Sequence, residues 1–205
     1  MPRDKRESHI QVVKAMQEEF LEKGFEKASM RSIAQKCGLS VAGLYRHFSS
    51  KEDMFDAFVK PLVNQVSQWA QNHRNTKYEQ MSHGNITQQS MFDESLIDLV
   101  KNIIYPQKEA YCVLFYKAQG SSYENFLDQF VDAQVQEMLQ VFHTLKEKGI
   151  HVEIPLEEEL HMFLSVYTKA LLQPIMHLYS KEKMEHCLKM MEDFFLPGWM
   201  NIMKI

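Results

Sequence analysis

Apolar residues recur three and four positions apart along nearly every segment of this chain that is long enough to classify. No segment shows the sustained alternation of apolar and polar positions that a half-buried strand requires. The pattern therefore predicts an all-α protein of about nine helices. In the first part of the chain it predicts helices over residues 8–23, 30–37, 41–47 and 51–71.

Capping residues predict where these helices begin and end. Ser29 and Ser40 precede the second and third helices, and each hydroxyl can accept a hydrogen bond from a free backbone amide. Ser49 and Glu52 have the spacing of a capping box at the start of the fourth helix. The first helix is expected to end at Gly24 and to bury Ile10, Val13, Met16, Phe20 and Leu21.

The rest of the chain is predicted to form longer helices around an apolar core. The polar stretch 72–90 lacks an apolar face and is predicted to be a loop or a frayed helix end. Further helices are expected over residues 92–105, 107–119, 121–148, 155 to about 174, and 184 to a stop at Pro197. Ser121 and Glu124 form a second capping-box spacing. Pro61 lies inside the fourth helix and predicts a kink, because proline lacks an amide donor.

The last two helices carry apolar stripes that are expected to be buried. The stripe residues are Leu156, Leu160, Phe163, Leu164, Tyr167 and Leu171 on the first helix, and Met184, Cys187, Leu188, Met191, Phe194 and Phe195 on the second.

Composition and charge narrow the class of protein. Of the 205 residues 45% are apolar and 24% are charged, which argues against disorder. No apolar run is long enough to span a membrane, and the charged N-terminus does not lead into a signal segment, so we expect a soluble, cytoplasmic protein with no membrane partner. The three cysteines are too far apart for a thiolate zinc site, and we expect no metal or other cofactor.

The net charge of −4 hides an asymmetry along the chain. Residues 1–51 contain ten basic and six acidic side chains, whereas the remainder carries a net charge of −8. Arg3, Lys5 and Arg6 belong to this basic part, either as a solvated tail or as an arm that attracts phosphates. A basic N-terminal segment ahead of an acidic remainder is therefore compatible with nucleic-acid binding.

Residues 30–48 have the pattern of a helix-turn-helix motif. Ile33, Ala34 and Leu44 supply apolar contacts where two short helices cross, and Gly38 permits the turn between them. Glycine turns also occur in other helical hairpins, so this pattern alone does not establish the motif.

The segments around this motif resemble the tetracycline-repressor-like (TetR) family of transcriptional regulators. The resemblance is carried by Phe20-Leu21-Glu22-Lys23-Gly24-Phe25, Ser29-Met30-Arg31-Ser32-Ile33-Ala34, Cys37-Gly38-Leu39-Ser40, Gly43-Leu44-Tyr45-Arg46-His47-Phe48 and Ser50-Lys51-Glu52. It implies a DNA-binding domain over 6–66, with the helix-turn-helix at 29–48, and a helical ligand-binding and dimerisation domain over 67–205. The implied function is a non-enzymatic regulator, a repressor or an activator with repression expected, that binds a pseudo-palindromic operator as a homodimer. The resemblance and the aromatic and Met side chains of the C-terminal part together predict release by a small, largely apolar effector.

The candidate DNA-binding residues follow from helix geometry and from this resemblance. They are Ser29, Arg31, Ser40, Val41, Ala42, Gly43, Tyr45, Arg46, His47 and Lys51. Val41 and Ala42 can pack on thymine methyl groups, and Gly43 permits close backbone approach. Lys51 lies in a first helical turn, where the helix dipole disfavours a cation, so a DNA phosphate is a suitable partner. Alternatively, Tyr45 is a packed core aromatic and His47 a surface residue at a helix end.

Candidate effector and dimer surfaces lie in the C-terminal part. The pocket candidates are Tyr111, Phe115, Phe126, Phe130, Met162 and Tyr167, and the dimer candidates are Phe163, Leu164, Tyr167, Leu171, Leu188, Met191 and Phe195. Both sets also suit an ordinary core. An alternative function, a helical metal-dependent enzyme, would use Glu158 and His161, which have the Glu-x-x-His spacing of di-iron bundles. A helix-turn-helix binder without ligand control is the third possibility.

Overall fold

The computed structural model describes residues 5–82 and 95–203, and the regular structure within these ranges is entirely helical. The helices are α1 (Lys5–Lys27), α2 (Met30–Lys36), α3 (Val41–Leu44), α4 (Lys51–Ser82), α5 (Ser95–Leu99), α6 (Lys108–Tyr116), α7 (Phe126–Glu147), α8 (Glu157–Met176) and α9 (Lys181–Met203). A π-helical turn, Val100–Ile104, and a 3₁₀ turn, Tyr105–Gln107, connect α5 to α6. The predicted all-α class is confirmed. Within the described ranges we find no helix that meets the length and apolarity needed to cross a membrane.

The chain divides into two compact units. The first, here called the head, contains described residues 5–64 and 109–126, and the second, the body, contains 65–82, 95–108 and 127–203. Helix α4 begins in the head and ends in the body. The predicted boundary after residue 66 places segment 109–126 in the second domain, whereas in the structure this segment groups with the head.

In the head, α1 is interrupted at Gly24, as its sequence predicts. The backbone there is left-handed, with a φ of 74°, and the helix resumes as far as Lys27. A Cβ at this position would lie 3.1 Å from the backbone oxygen of Lys117, so a side chain would also meet the neighbouring segment. The predicted burial of Ile10 is wrong, because Ile10 is 62% exposed and Val12, two positions along the helix and on its opposite face, is buried.

The capping box at the start of α4 lies one residue later than predicted. The Asp53 amide donates to Ser50 Oγ at 2.9 Å, and the Ser49 amide donates to Asp53 Oδ2 at 2.9 Å. The box therefore uses Ser50 and Asp53, and the carboxylate of Glu52 accepts hydrogen bonds from Ser122 instead.

Beyond Pro61, α4 is longer than its sequence predicts. Of the two alternatives for the polar stretch, the loop is wrong over residues 72–82, which continue the helix. Residues 83–94 lie outside the described ranges. The sequence signal is weak because most side chains of residues 71–79 are exposed, and the half-buried ones, His73, Lys77 and Tyr78, are polar or aromatic.

The second predicted capping box does not form either. Ser121 Oγ accepts from the Tyr123 amide at 3.1 Å, and Glu124 accepts from the Gly120 amide at 3.0 Å. These residues close a turn, and α7 begins at Phe126.

In the body, α7, α8 and α9 share an apolar core. Its buried members include Val131, Val135, Phe142, Leu145, Leu160, Leu164 and Trp199. Two residues of the predicted stripes are not buried, since Leu156 is 66% and Phe194 is 75% exposed. Helix α9 does not stop at Pro197 but continues to Met203, where the buried Trp199 packs on Phe163 with ring centroids 5.7 Å apart. Glu137 is buried on α7, and its carboxylate lies 3.6 Å from Arg74 Nε of α4.

Candidate DNA-binding site

Helices α2 and α3 form a helix-turn-helix that is fixed by backbone and capping hydrogen bonds. The Ser32 amide donates to Ser29 Oγ at 3.1 Å, and the Gly43 amide donates to Ser40 Oγ at 3.0 Å, so both predicted N-caps are present. Gly38, with a φ of 67°, makes the turn, and the next amide, Leu39, donates to Ala34 O at 2.9 Å. The motif exposes the first turns of both helices.

Most of the sequence-predicted DNA residues lie exposed on this motif. They are Ser29, Arg31, Ser40, Val41, Ala42, Tyr45 and Arg46. Tyr45 is 52% exposed, so the alternative that it is a packed core aromatic is wrong. From residue 27 to residue 51 the chain contains five Lys or Arg residues and no Asp or Glu. Lys36 is paired with Glu19 and Glu22 of α1, so the exposed positive charge of the motif comes mainly from Arg31 and Arg46.

Gly43 and His47 are placed differently from the exposed residues. Gly43 is buried, and a Cβ there would lie 3.3 Å from the capping oxygen of Ser40, so the cap itself accounts for the glycine. His47 is half-buried, with its Nε2 3.5 Å from Ser8 Oγ and its ring 5.6 Å from that of His9. Contacts of His47 therefore connect the end of the motif to α1.

The structure provides Lys51 with a partner inside the protein. Its Nζ donates to the backbone oxygens of Phe25 at 2.8 Å and Glu26 at 3.2 Å, and it lies 4.3 Å from the centre of the Phe25 ring. These carbonyls belong to the last turn of α1, where the helix dipole is negative and favours a cation. The conflict inferred from the position of Lys51 on α4 is thus resolved without DNA.

A buried carboxylate, that of Glu19, joins α1 to α2. Its two oxygens accept from Lys23 Nζ at 2.9 Å and from Ser32 Oγ at 2.8 Å, and Lys36 Nζ lies 2.9 Å from Oε2. Ser32 and Lys36 are on α2, so the first helix of the motif is held directly by a side chain of α1.

The pKa of Glu19 reflects this network. Burial alone would raise the pKa, but the hydrogen bonds from Lys23, Lys36 and Ser32 outweigh burial and lower it to about 2. The carboxylate is therefore ionised throughout the physiological range. Sequence reasoning missed Glu19, although its position, four residues after Ala15 and three after Met16, places it on the buried face of α1.

Segment 109–126 completes the head around the end of α1 and the start of α4. The Phe25 amide donates to the Lys117 backbone oxygen at 2.8 Å, and Lys117 Nζ donates to the Leu21 backbone oxygen. Tyr123 donates its hydroxyl hydrogen to Asp56. Burial and this hydrogen bond raise the pKa of Tyr123 to about 12, and they keep the phenol protonated.

The predicted effector-pocket residues do not all lie in one unit. Tyr111, Phe115 and Phe126 belong to the head, where Tyr111 is fully buried and its ring centroid is 4.5 Å from that of Phe115. The Phe126 ring meets that of Phe115 edge-on at 5.5 Å. Phe130, Met162 and Tyr167 belong to the body, and Met162 is 55% exposed.

The residues of the enzyme alternative make other contacts. His161 Nε2 lies 3.2 Å from Asp132 Oδ1, an exposed pair between α8 and α7. Across residues 5–82 and 95–203, no three His, Cys, Asp or Glu side chains are arranged to hold a metal ion.

Comparison with known proteins defines the class. Residues 12–58, which include α1, the motif and the start of α4, match the family model for bacterial regulatory proteins of the tetR family. The described fold, a head with this motif and an all-helical body, is also that of a TetR-like transcriptional regulator from Rhodococcus sp. RHA1, with a TM-score of 0.54 and 16% identity over 97% of this chain and 99% of that one.

Two curated relatives agree with this class over the N-terminal part. The transcriptional regulator UidR of Escherichia coli K12 is 38% identical over 52 residues, which are 25% of this chain and 26% of UidR. The transcriptional activator FasR of Mycolicibacterium smegmatis is 35% identical over 66 residues, 32% of this chain and 29% of FasR. The chain thus matches only about a quarter of the length of these relatives. Over residues 12–58 the chain is thus similar to helix-turn-helix transcriptional regulators of the tetR family, and the match concerns its N-terminal part only.

Replacement of Glu19 by Gln is expected to destabilise the head. The pKa falls from 4.5 to about 2 on folding, so the ionised carboxylate contributes ~3 kcal/mol to the free energy of unfolding at pH 7. This contribution is present above pH 4.5 and is lost as the pH falls towards 2. Urea unfolding at a series of pH values should therefore show a deficit for Glu19→Gln that narrows in acid. The matched control is Glu22→Gln, an exposed partner of Lys36, which should change stability far less. Equal effects of the two variants would contradict this assignment.

Replacement of Lys51 by Met tests the internal role of this ammonium group. The variant keeps an apolar stem over Phe25 but leaves two carbonyls of α1 without their donor, and we expect a loss of ~1 kcal/mol in urea unfolding. Lys60→Met, on the same helix but with only an exposed pairing to Asp56, should have a smaller effect. If Lys51→Met were as stable as the wild-type protein, its cation would have no structural role.

Proposed function

We propose that this chain is a ligand-responsive transcriptional regulator that binds a pseudo-palindromic operator as a homodimer. The observation that carries the proposal is the exposed helix-turn-helix, which presents Arg31 and Arg46 and contains no acidic residue. Its two N-caps and the hydrogen bonds of Glu19 orient α2 and α3. In such motifs the second helix enters the major groove and the first crosses the backbone. Val41 and Ala42 would then contact base edges, and Arg31, Tyr45 and Arg46 would hold phosphates or reach neighbouring bases.

The operator is best found by selection of binding sites from random double-stranded DNA at moderate salt. A palindromic or pseudo-palindromic sequence with half-sites about one helical turn apart is the expected product. On that sequence, Arg46→Ala should bind at least about tenfold more weakly than the wild-type protein. If Arg46 contacts a phosphate, the slope of log affinity against log salt should fall by about 0.9. Lys146→Ala, an equal change of charge at the exposed end of α7, is the control and should bind normally. Unchanged affinity of Arg46→Ala would contradict the assignment.

Homodimerisation through α8 and α9 is supported by an apolar surface on these helices. Leu164, Leu171 and Leu188, which were predicted to be interface residues, are buried within the chain itself and serve its core. The exposed apolar residues are instead Met162, Val166 and Met190, each two positions from a core residue, and Phe194. Helices α8 and α9 run antiparallel, since Phe163 meets Trp199 and Tyr167 meets Phe195. Two copies that pair these outer faces would form a four-helix interface.

Phe194→Glu should therefore shift the protein from dimer to monomer. The charge would be buried without a partner at the proposed interface, and sedimentation at micromolar concentration measures the outcome. Leu156→Glu places the same charge at another exposed apolar position of the body and should leave the dimer intact. A wild-type protein that sediments as a monomer would reject the dimer.

Repression, relieved by an effector, is the direction of control that we propose. Because the relative FasR is named as an activator, a reporter gene behind the selected operator is the test that decides the sign. Release of the operator by no small molecule in a broad screen would favour a constitutive binder.

A further inference from the structure

The body contains a cleft that none of the predicted pocket residues line. It has a volume of about 400 Å³ and is bordered by Gln65, Gln68, Trp69, Asn72, His73 and Thr76 of α4, together with Asp98 and Ile103. This volume lies in the range of small-molecule sites, ~300–1,000 Å³. Six of its eight lining residues follow one face of α4 through three turns.

Two stacked rings form the aromatic part of the cleft. The indole of Trp69 and the imidazole of His73, one helical turn apart, are 3° from parallel with centroids 5.2 Å apart. Burial, with a smaller contribution from Lys77, lowers the pKa of His73 to about 4. The imidazole is thus neutral at pH 7 and offers one hydrogen-bond donor or acceptor to a ligand.

The remaining wall is polar and carries one formal negative charge. Gln65 already accepts a hydrogen bond from Gln107 at 3.0 Å. The side chains of Gln68 and Asp98, by contrast, form no hydrogen bond that we find to any residue in the described ranges. An aromatic face beside a carboxylate and amide oxygens favours a cationic or N–H-bearing ring, because cations are attracted to the indole face and to Asp98. The same wall disfavours an anion, and its amides are poorly matched to a wholly apolar effector.

We propose that this cleft binds a planar, nitrogen-containing heteroaromatic molecule of positive charge, which stacks on Trp69 and donates hydrogen bonds to Asp98 and Gln68. The role of this molecule as the effector rests on the ligand control proposed above. Helix α4 carries most of the cleft and begins in the head. A ligand that binds one conformation of α4 more tightly changes operator affinity by that difference in binding and by no more.

Two bicyclic probes of similar size and opposite charge test the cleft by calorimetry on the full chain. We expect 4-aminoquinaldine, a cation at neutral pH, to bind at least tenfold more tightly than naphthalene-1-carboxylate. Asp98→Asn should weaken 4-aminoquinaldine binding at least fivefold, and Trp69→Leu at least tenfold. Asp128→Asn is the matched control, an exposed aspartate in the first turn of another body helix, and should bind as the wild-type protein does.

The results of these experiments test ligand binding in the cleft independently of the proposed DNA-binding function. The proposal is overturned if neither probe binds at millimolar concentration, if both bind equally, or if Asp98→Asn behaves like Asp128→Asn. Because Asp98 is exposed, its variant remains informative even if Trp69→Leu unfolds. Operator affinity is measured with and without 4-aminoquinaldine. If the ligand-free protein binds no DNA, the proposed function is rejected and the cleft proposal is not. If 4-aminoquinaldine binds in the cleft and operator affinity is unchanged, the effector role is rejected.

Discussion

The arrangement of the DNA-binding motif depends on one buried charge, the carboxylate of Glu19. A carboxylate without partners in this position would be strongly destabilising, so its burial requires Lys23, Ser32 and Lys36 to lie where they do. Two of these partners are on α2, a helix of only seven residues that has little stability of its own. The ion pairs and the hydrogen bond from Ser32 therefore supply orientation that apolar packing of so short a helix does not.

The sequence predicted the elements of the head better than those of the body because strong local signals mark them. Ser29, Ser40, Gly24 and Gly38 each act through a backbone geometry that only a few residue types support, and all four were placed correctly. The continuation of α4 past residue 71 and of α9 past Pro197 was missed. In both places tertiary packing, exemplified by Trp199 on Phe163, outweighs the polar or helix-breaking local sequence.

The candidate DNA surface could be assigned from the sequence, whereas the side chains that support it could not. Exposed positions such as Arg31 and Tyr45 follow from helix geometry once the motif is recognised. The bonds of Lys51 to Phe25 and of Glu19 to Ser32 join residues that are far apart in the sequence, and no periodicity encodes them. The polar stretch 72–90 was predicted to be a loop or a frayed helix end, so the cleft along α4 was not predicted.

The hydrogen bonds from residues 117–123 to α1 and α4 mean that the head, which carries the helix-turn-helix, is discontinuous in sequence. A fragment cut after residue 66 would lose the partners of Phe25, Glu52 and Asp56 at once. An exchange of DNA specificity between relatives would likewise have to carry segment 109–126 along with the first helices. These contacts hold the two stretches in one unit, although more than forty residues separate them along the chain.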